Sequence, residues 1–311
     1  MNHPTASPAL LESNTASGMG DDLRDRDCSH ESDHYSESLI IEPRRGWIPV
    51  DFAELWRYRE LAYFLTWRDV KVRYKQTVFG VAWAVLVPVF SVAIFTVIFG
   101  NFAGLKNTLP PDLANAYPVY VYAGLLPWIF FSNAISLGGM SLVNQQQLLT
   151  KIYFPRMFVP AATVSGAGVD AMLSLIVFAA LMAFYQVPPS PMLALLPLMA
   201  ILLGMASLGI AFLLSALTVS YRDFRFVIPF MVQAWQYLSP VVYPTSIVPD
   251  RYRWLLALNP MTGIISGFRS CLLGTPLEWP TLAISTLMTV FLFAFGMKYF
   301  RKTEQRFADI A

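Results

Sequence analysis

Residues that could ligate a metal ion occur together only near the amino terminus. His30 and His34 stand four positions apart, the spacing of one helix face, and Cys28 lies close to them. Imidazole and thiolate groups at such spacing can bind zinc. All three histidines of the chain lie within residues 1–45, however, a stretch rich in Ser, Asp, Glu and Asn. Such polar, charged segments cannot bury enough apolar surface to fold, so we predict a disordered tail over residues 1–45 and no metal site.

The motifs of common nucleotide-binding and hydrolytic sites do not occur in this sequence. No glycine is followed by lysine, which excludes the phosphate-binding P-loop, and HExxH, GxSxG and CxxC are all missing. The two cysteines, Cys28 and Cys271, do not suggest a disulfide framework. We therefore expect no catalytic residue and no cofactor held by this chain.

Asp170 is the one ionisable residue deep inside an apolar segment. A charge inside a membrane is costly, so an acid there is a functional hypothesis by default. Residues 165–168 just before it are small, as at close helix contacts. Two interpretations stay open: Asp170 is hydrogen-bonded between helices, or it lines a passage. A proton relay needs a second buried acid or base, and we expect none.

Aromatic and amide side chains share faces of two apolar segments. Polar groups in the middle of a membrane need partners, and aromatic faces beside hydrogen-bonding groups suit sugar rings, which have apolar faces and hydroxyl edges. We therefore predict a passage wall from these residues, namely Phe79, Trp83 and Phe90 in the first segment and Gln233, Trp235, Gln236 and Tyr237 in the fifth.

The elements that must position these residues are membrane helices. The chain is 56% hydrophobic and 14% charged, against about 25% charged residues in soluble domains. A membrane span takes about 20 apolar residues. We predict an all-α polytopic membrane protein whose transmembrane domain covers residues 78–302. Its six spans lie at about 79–103, 118–140, 158–185, 192–219, 226–244 and 281–299.

Lysine and arginine residues near the ends of these spans are divided 12 to 4 between the two sides of the membrane. Because cytoplasmic loops carry the excess of basic residues, we predict that both termini lie in the cytosol. Residues 303–311 would then form a second cytosolic tail.

Residues 46–77 precede the first span and have the pattern of an amphipathic helix. Asp51 and Glu54 form a possible capping box. Trp56 and Trp67 flank an apolar face, and basic residues follow it. Tryptophan and basic residues on a helix favour the membrane surface, so we predict an interface helix; an ordinary helix of a soluble domain is the alternative.

Prolines interrupt the chain after the fifth span. Pro240 and Pro244 end the apolar run, and two short segments follow at residues 249–258 and 261–273. Each is nearer the 10–14 residues of a re-entrant helix than a full span, and such a hairpin must be buried in protein or line a cavity. We predict a re-entrant helical hairpin over residues 246–274 at the mouth of a passage. The side chains expected at its periplasmic gate are Tyr243, Arg251, Trp254, Phe268 and Arg269.

The same region carries a family resemblance. Residues 233–244 (QAWQYLSPVVYP), 258–261 (LNPM) and 267–269 (GFR) resemble the ABC-2 type permeases that export O-antigen, teichoic acid and related polysaccharides. The likeness extends over residues 47–306. It implies a permease subunit in the bacterial cytoplasmic (inner) membrane that works as a homodimer. A separate ABC ATPase would bind ATP and Mg²⁺, and the cargo would be a lipid-linked polysaccharide; no nucleic acid is expected as a partner.

The resemblance also implies where the ATPase docks. Residues 144–157 (NQQQLLTKIYFPRM) link the second and third spans, where the family has a short coupling helix, and residues 221–225 (YRDFR) form the second cytosolic loop. Arg222 and Asp223 could contact the ATPase or merely pair with each other. The residues expected to couple are Gln147, Leu148, Lys151, Tyr153, Phe154, Arg156, Arg222 and Asp223.

Three alternatives stay open at this point. An ABC-2 exporter of drugs or small lipids shares the six-span plan. A membrane acyl- or glycosyltransferase would need clustered catalytic residues at a membrane face, and the chain beyond residue 45 has no histidine. A secondary transporter would need internal repeats and buried ion-coupling groups, and no repeat is visible.

Overall fold

A computed structural model describes residues 56–75, 80–147 and 154–304 of the chain. The predictions for the tail, for Asp51, Glu54 and Phe79, and for the coupling residues Leu148, Lys151 and Tyr153 lie outside these residues.

The described residues form α-helices joined by short turns, and they contain no strand. In chain order the helices are α1 (Arg59–Lys75), α2 (Gly80–Phe95, continued by a π-helix at Thr96–Phe102), α3 (Pro111–Asn115), α4 (Tyr117–Asn144), α5 (Phe158–Phe184), α6 (Leu196–Ser220, preceded by a 3₁₀ turn at Pro191–Leu195), α7 (Phe224–Leu238), α8 (Asp250–Ala257), α9 (Pro260–Leu273) and α10 (Trp279–Glu304).

Five of these elements are long and apolar enough to cross a membrane, among the residues that the structure describes: Ala82–Phe102, Tyr117–Asn144, Phe158–Phe184, Pro191–Ser220 and Trp279–Glu304. The chain is thus an all-helical, multi-pass membrane protein.

The predicted fifth span, residues 226–244, is helical only in its first part. Helix α7 has 15 residues and ends at Leu238, which gives a length of about 22 Å at 1.5 Å per residue. The hydrocarbon core of a bilayer is about 30 Å thick. Ser239 is extended and Pro240 has no backbone N–H to continue the ladder, so the apolar run after Leu238 is a loop. The prediction of six transmembrane helices is therefore not confirmed.

Helix α4 is the central element of the bundle, with most of its residues buried. It packs on α5 and α6, and α6 in turn packs on α10. The α6–α10 crossing depends on Gly209 and Gly296, because a Cβ on Gly296 would lie 2.0 Å from the Gly209 carbonyl oxygen. Small residues of this kind let helix backbones approach closely in membranes.

Helix α1 lies lengthwise on the first half of α5. The Tyr58 and Phe158 rings are 6.5 Å apart near the start of both helices, and further along Thr163 donates a hydrogen bond of 3.4 Å to Asp69. The two helices therefore run in the same direction. The location of α1 at a membrane surface stays a prediction.

Helices α8 and α9 form a helical hairpin whose boundaries agree with the proline punctuation of the sequence. Asn259 caps α9 by accepting from the Met261 amide at 3.0 Å. At the turn, Ser285 of α10 accepts from the Gly263 amide and donates to the Ala257 carbonyl. Ser285 lies six residues into α10, about 9 Å from its start. The turn between α8 and α9 therefore contacts α10 about two turns after the start of that helix. The re-entry of the hairpin into a membrane stays a prediction.

Candidate functional site

Asp170 lies at the centre of a polar cluster between α1 and α5. The Arg73 guanidinium donates to one carboxylate oxygen of Asp170, and the Tyr74 hydroxyl donates to the other. The Arg73 and Asp170 side chains are 30% and 17% exposed. Burial, the hydrogen bond to Asp170 and the charge of Asp170 together raise the pKa of Tyr74 to about 12, so this phenol stays neutral and donates.

This pairing gives Asp170 a charged partner that the sequence analysis did not name. The partner comes from α1, 97 positions earlier in the chain. Helical spacing places Arg73 on the face of α1 that also carries Asp69, but no local pattern shows that this face meets α5. The interpretation of Asp170 as a residue bonded between helices agrees with the observed geometry, and its participation in a passage stays a proposal.

A second polar cluster lies one turn earlier on α1. Arg68 donates to Asp69 and to the Gln145 side chain, at 2.7 Å each. Thr163 of α5 donates to Asp69. This cluster joins α1 to the end of α4 and the start of α5, so the three helices are held together by charged and amide groups rather than by apolar packing alone.

The two clusters together form a polar seam between α1 and α5, made of Arg68, Asp69, Arg73, Tyr74 and Asp170. Two cavities lie along this seam, and Arg73 lines both of them. One, of about 340 Å³, lies between α1, α2, α4 and α5, and its lining includes Trp83, Asn133 and Asp170. The other, of about 710 Å³, lies between α1, α4 and α5, and its lining includes Asp69 and Gln145. Among the described residues, no group of three His, Cys, Asp or Glu side chains is placed to hold a metal ion.

The predicted passage residues are divided between two helices. Trp83 and Phe90 are exposed on α2, which packs on α4 and α5, whereas α7 packs on α4 and α6. On α7, Gln233 and Tyr237 are exposed, and Gln236 is partly buried. The structure of one chain therefore does not bring the two sets together on one wall.

Trp235 points into the protein, unlike Gln233 and Tyr237. Its indole N–H donates to Asn259 at 2.9 Å, and its ring meets the Phe131 ring edge-on at 5.2 Å. Trp235 thus fastens α7 to the hairpin turn and to α4.

Two exposed residues of α7 were missed by the sequence prediction. Phe226 and Phe230 are both largely exposed, and they share a face with Gln233 and Tyr237 at helical spacing. The period of 3–4 residues was a usable signal, but it was hidden because the whole segment is apolar. We call these four residues the α7 face.

Arg269 is buried in the core instead of lying at an open gate. Its guanidinium donates to the carbonyls of Pro240 at 2.8 Å and Val241 at 2.6 Å, and it lies 4.1 Å from the centre of the Tyr120 ring. Gly124 makes this possible, because a Cβ there would lie 2.4 Å from the Val241 carbonyl oxygen. Arg269 therefore fixes the loop after α7 against α9 and α4.

The other predicted gate residues are not gathered at one place. Phe268 is buried beside Arg269, Tyr243 is partly buried in the loop, and Arg251 and Trp254 are exposed on α8. The hairpin thus has a buried arm, α9, and an exposed amphipathic arm, α8.

The described coupling residues lie at one end of the bundle, where Leu142, Phe158, Ala216 and Phe300 pack together and so join the ends of α4, α5, α6 and α10. Phe154 is buried in this same cluster, whereas Gln147, Arg222 and Asp223 are exposed. In the part of the chain described here, Arg222 and Asp223 form no ion pair with each other.

Arg156 is held by the end of α10. Its backbone amide donates to the Glu304 carboxylate at 3.0 Å, and its guanidinium donates to the Glu304 carbonyl at 3.5 Å. Arg156 therefore has a structural partner within the chain, which sets it apart from the exposed Arg222.

Comparison with known proteins agrees with the geometry of a helical membrane subunit. The sequence model of the ABC-2 type transporter family matches residues 60–273. The O-antigen export system permease protein RfbA of Myxococcus xanthus is 27% identical, over 82% of this chain and 97% of that protein. RfbA of Klebsiella pneumoniae is also 27% identical, over 81% and 95%. The polysialic acid transport protein KpsM of Escherichia coli is 23% identical, over 76% and 91%.

Proposed function

Because the chain belongs to the ABC-2 type transporter family, we propose that it is the permease subunit of an ATP-driven exporter of a lipid-linked polysaccharide. The observation that carries the proposal is the similarity to O-antigen export permeases, which covers most of this chain and nearly all of each relative. The polysialic acid transport protein supports a polysaccharide as the cargo. The location is the bacterial cytoplasmic membrane.

A separate ABC ATPase subunit supplies the energy. This sequence contains no P-loop, so ATP and Mg²⁺ are bound by the partner. The docking surface we propose consists of the segment 144–157 and the exposed turn at Arg222 and Asp223. The described residues of this surface belong to the end of the bundle joined by Phe158 and Phe300. Because these helix ends are packed in one cluster, a movement of the ATPase can displace the membrane helices together.

Two copies of the chain form the passage. The α7 face is uncovered in a single chain, and Gln233 at its centre would lack hydrogen-bond partners in lipid. A second copy, or a water-filled passage shared with it, satisfies this residue. The aromatic residues of the face, together with Trp83 and Phe90 on α2, then offer weak, repeated contacts to sugar rings, as a conduit requires.

The orientation we propose has both termini and the docking surface in the cytosol and the hairpin at the opposite side, so α7 and the loop after it together make the sixth crossing of the membrane. The division of basic residues supports this orientation. Helix α9, which is buried against α4 and α10, forms the wall of the outer mouth of the passage. Helix α8 covers this mouth as the moving part of the gate. The permease itself catalyses no reaction.

Deletion of the gene tests this function. We expect the deletion strain to lose its surface polysaccharide and to accumulate the lipid-linked polymer inside the cell, and the wild-type gene to restore both. A strain that keeps normal surface polysaccharide but becomes sensitive to an expelled drug would contradict the proposal in favour of a small-molecule exporter.

A further inference from the structure

The smaller cavity lies beside the middle part of α5. Asp170, which lines it, is twelve residues into α5, about 18 Å from the start of that helix. The cavity volume of about 340 Å³ is at the lower end of the ~300–1,000 Å³ typical of small-molecule sites.

The walls of this cavity differ in chemistry. Arg73, Tyr74, Asn133 and Asp170 supply donors and acceptors to the lining, and the Trp83 indole and the side chain of Val87 supply apolar surface. Apolar and aromatic walls with a few convergent polar groups are the usual composition of a ligand site. A sugar ring, which has apolar faces and a rim of hydroxyl groups, matches both walls at once.

The charges in the cavity are balanced. Arg73 is paired with Asp170, and the Tyr74 phenol is neutral, so the charged side chains in the lining sum to zero. An anionic group would have to compete with Asp170 for Arg73, whereas hydroxyl groups can bond to both members of the pair without displacing either. A phosphate or a carboxylate-bearing sugar is therefore disfavoured.

We propose that this cavity, named here the Asp170 subsite, holds one uncharged sugar ring of the polysaccharide during export; the inference rests on the proposed function. The balanced charges of Arg73 and Asp170 favour a sugar over a phospholipid headgroup, which carries a phosphate. Arg73 and Asp170 are the specificity-determining pair, and Trp83 is the stacking surface.

Photocrosslinking in exporting cells tests the Asp170 subsite directly. A benzophenone amino acid replaces Val87, which lines the cavity, or Val89, which does not. These two valines form a matched pair, since both lie on α2 and they are 51% and 46% exposed. We expect irradiation to attach glycan to the position 87 variant and not to the position 89 variant. Sugar analysis of the adduct is expected to give uncharged hexoses or deoxyhexoses at the attachment point.

A third probe at Tyr237 separates this inference from the export function. Glycan adducts at position 237 with none at position 87 would overturn the Asp170 subsite while leaving export intact. Phospholipid adducts alone at position 87, or an attachment point that is always an acidic sugar, would overturn it as well. A surface polysaccharide that does not depend on the gene would remove the export function itself.

A double substitution supplies a second readout. Arg73→Gln with Asp170→Asn removes both charges together and keeps hydrogen-bonding side chains of similar size. We expect loss of the glycan adduct at position 87 while the adduct at position 237 persists, which shows that the variant is folded and still exports. Equal adduct at position 87 in the double variant would contradict the assignment of this pair to sugar binding.

Discussion

Arg73 of α1 forms an ion pair with Asp170, which lies about midway along α5. The pair fastens the first described helix to a membrane span, beside a cavity that opens between four helices. Because a lone charge in an apolar segment is costly, Asp170 is stabilised by the Arg73 guanidinium and the Tyr74 hydroxyl.

Removing one member of the pair should therefore destabilise the protein. We expect Asp170→Leu to remove the carboxylate that holds Arg73 and Tyr74 on α5 and to reduce stability by about 1–3 kcal/mol, seen as a lower thermal unfolding midpoint of the protein in detergent. The charge swap Arg73→Asp with Asp170→Arg should regain part of this loss. The matched control is Asp250→Asn, which breaks the exposed Asp250–Arg253 pair and should cost at most about 1 kcal/mol. Equal midpoints for Asp170→Leu and the wild type would show that the pair does not hold α1 on α5.

The α6–α10 crossing gives a second prediction. In Gly296→Ala the new methyl group would overlap the Gly209 carbonyl, so the helices must separate, at a cost of about 1–3 kcal/mol or more. We expect little monodisperse protein after extraction and gel filtration. Gly204→Ala on α6 is the control, since nothing lies within 4 Å of its added Cβ, and it should be neutral or slightly stabilising. Normal recovery of Gly296→Ala would mean that the two helices cross elsewhere.

The exposed turn between α6 and α7 should matter for the ATPase and not for folding. We expect Arg222→Glu to reduce co-purification of the partner ATPase and export, with normal protein abundance, because Arg222 is exposed. Arg253→Glu on α8 should leave co-purification unchanged, since it lies in the hairpin. Arg156→Glu is expected to lower abundance as well, because the new carboxylate would face Glu304. Undiminished co-purification of the Arg222→Glu variant would remove this turn from the docking surface.

Single-cysteine labelling tests the orientation. With both native cysteines replaced by serine, a cysteine at Asn107 or Met192 should react with an impermeant reagent in whole cells. A cysteine at Gln146 should react only after the membrane is opened. All three positions are exposed in the structure, so failure to react reports the side of the membrane and not burial. Reaction at Gln146 in intact cells would reverse the orientation.

The boundaries of α8 and α9 were predictable because they are set by local chemistry, whereas the re-entry of this hairpin into the membrane stays a prediction. Asn259 and Pro260 must end one helix and begin the next, and the observed helices α8 and α9 meet there. The end of α7 was predicted six residues too late, because hydropathy does not distinguish an apolar helix from an apolar loop. Pro240 was the available signal, since it interrupts the backbone hydrogen bonds.

The polar seam between α1 and α5 could not be predicted from the sequence. In the sequence, Arg73 looks like one of the basic residues that flank a span. Asp170 looks like an isolated acid in an apolar segment. Their contact depends on the alignment of α1 along α5, which is set by packing at Tyr58, Leu65 and Phe158. Arg269 was missed in a similar way: its sequence position suggested a gate, and its burial against Pro240 and Val241 is a tertiary property.

Transport in inverted membrane vesicles tests the central claim most directly. Vesicles that contain this chain and its partner ATPase are given a radiolabelled lipid-linked polysaccharide on their outer face, which corresponds to the cytosol. The account predicts that ATP makes the labelled polymer resistant to an added glycanase, and that vesicles with the ATPase alone do not protect it. Equal protection with and without this chain, or protection that does not need ATP, would contradict its role as the permease of a polysaccharide exporter.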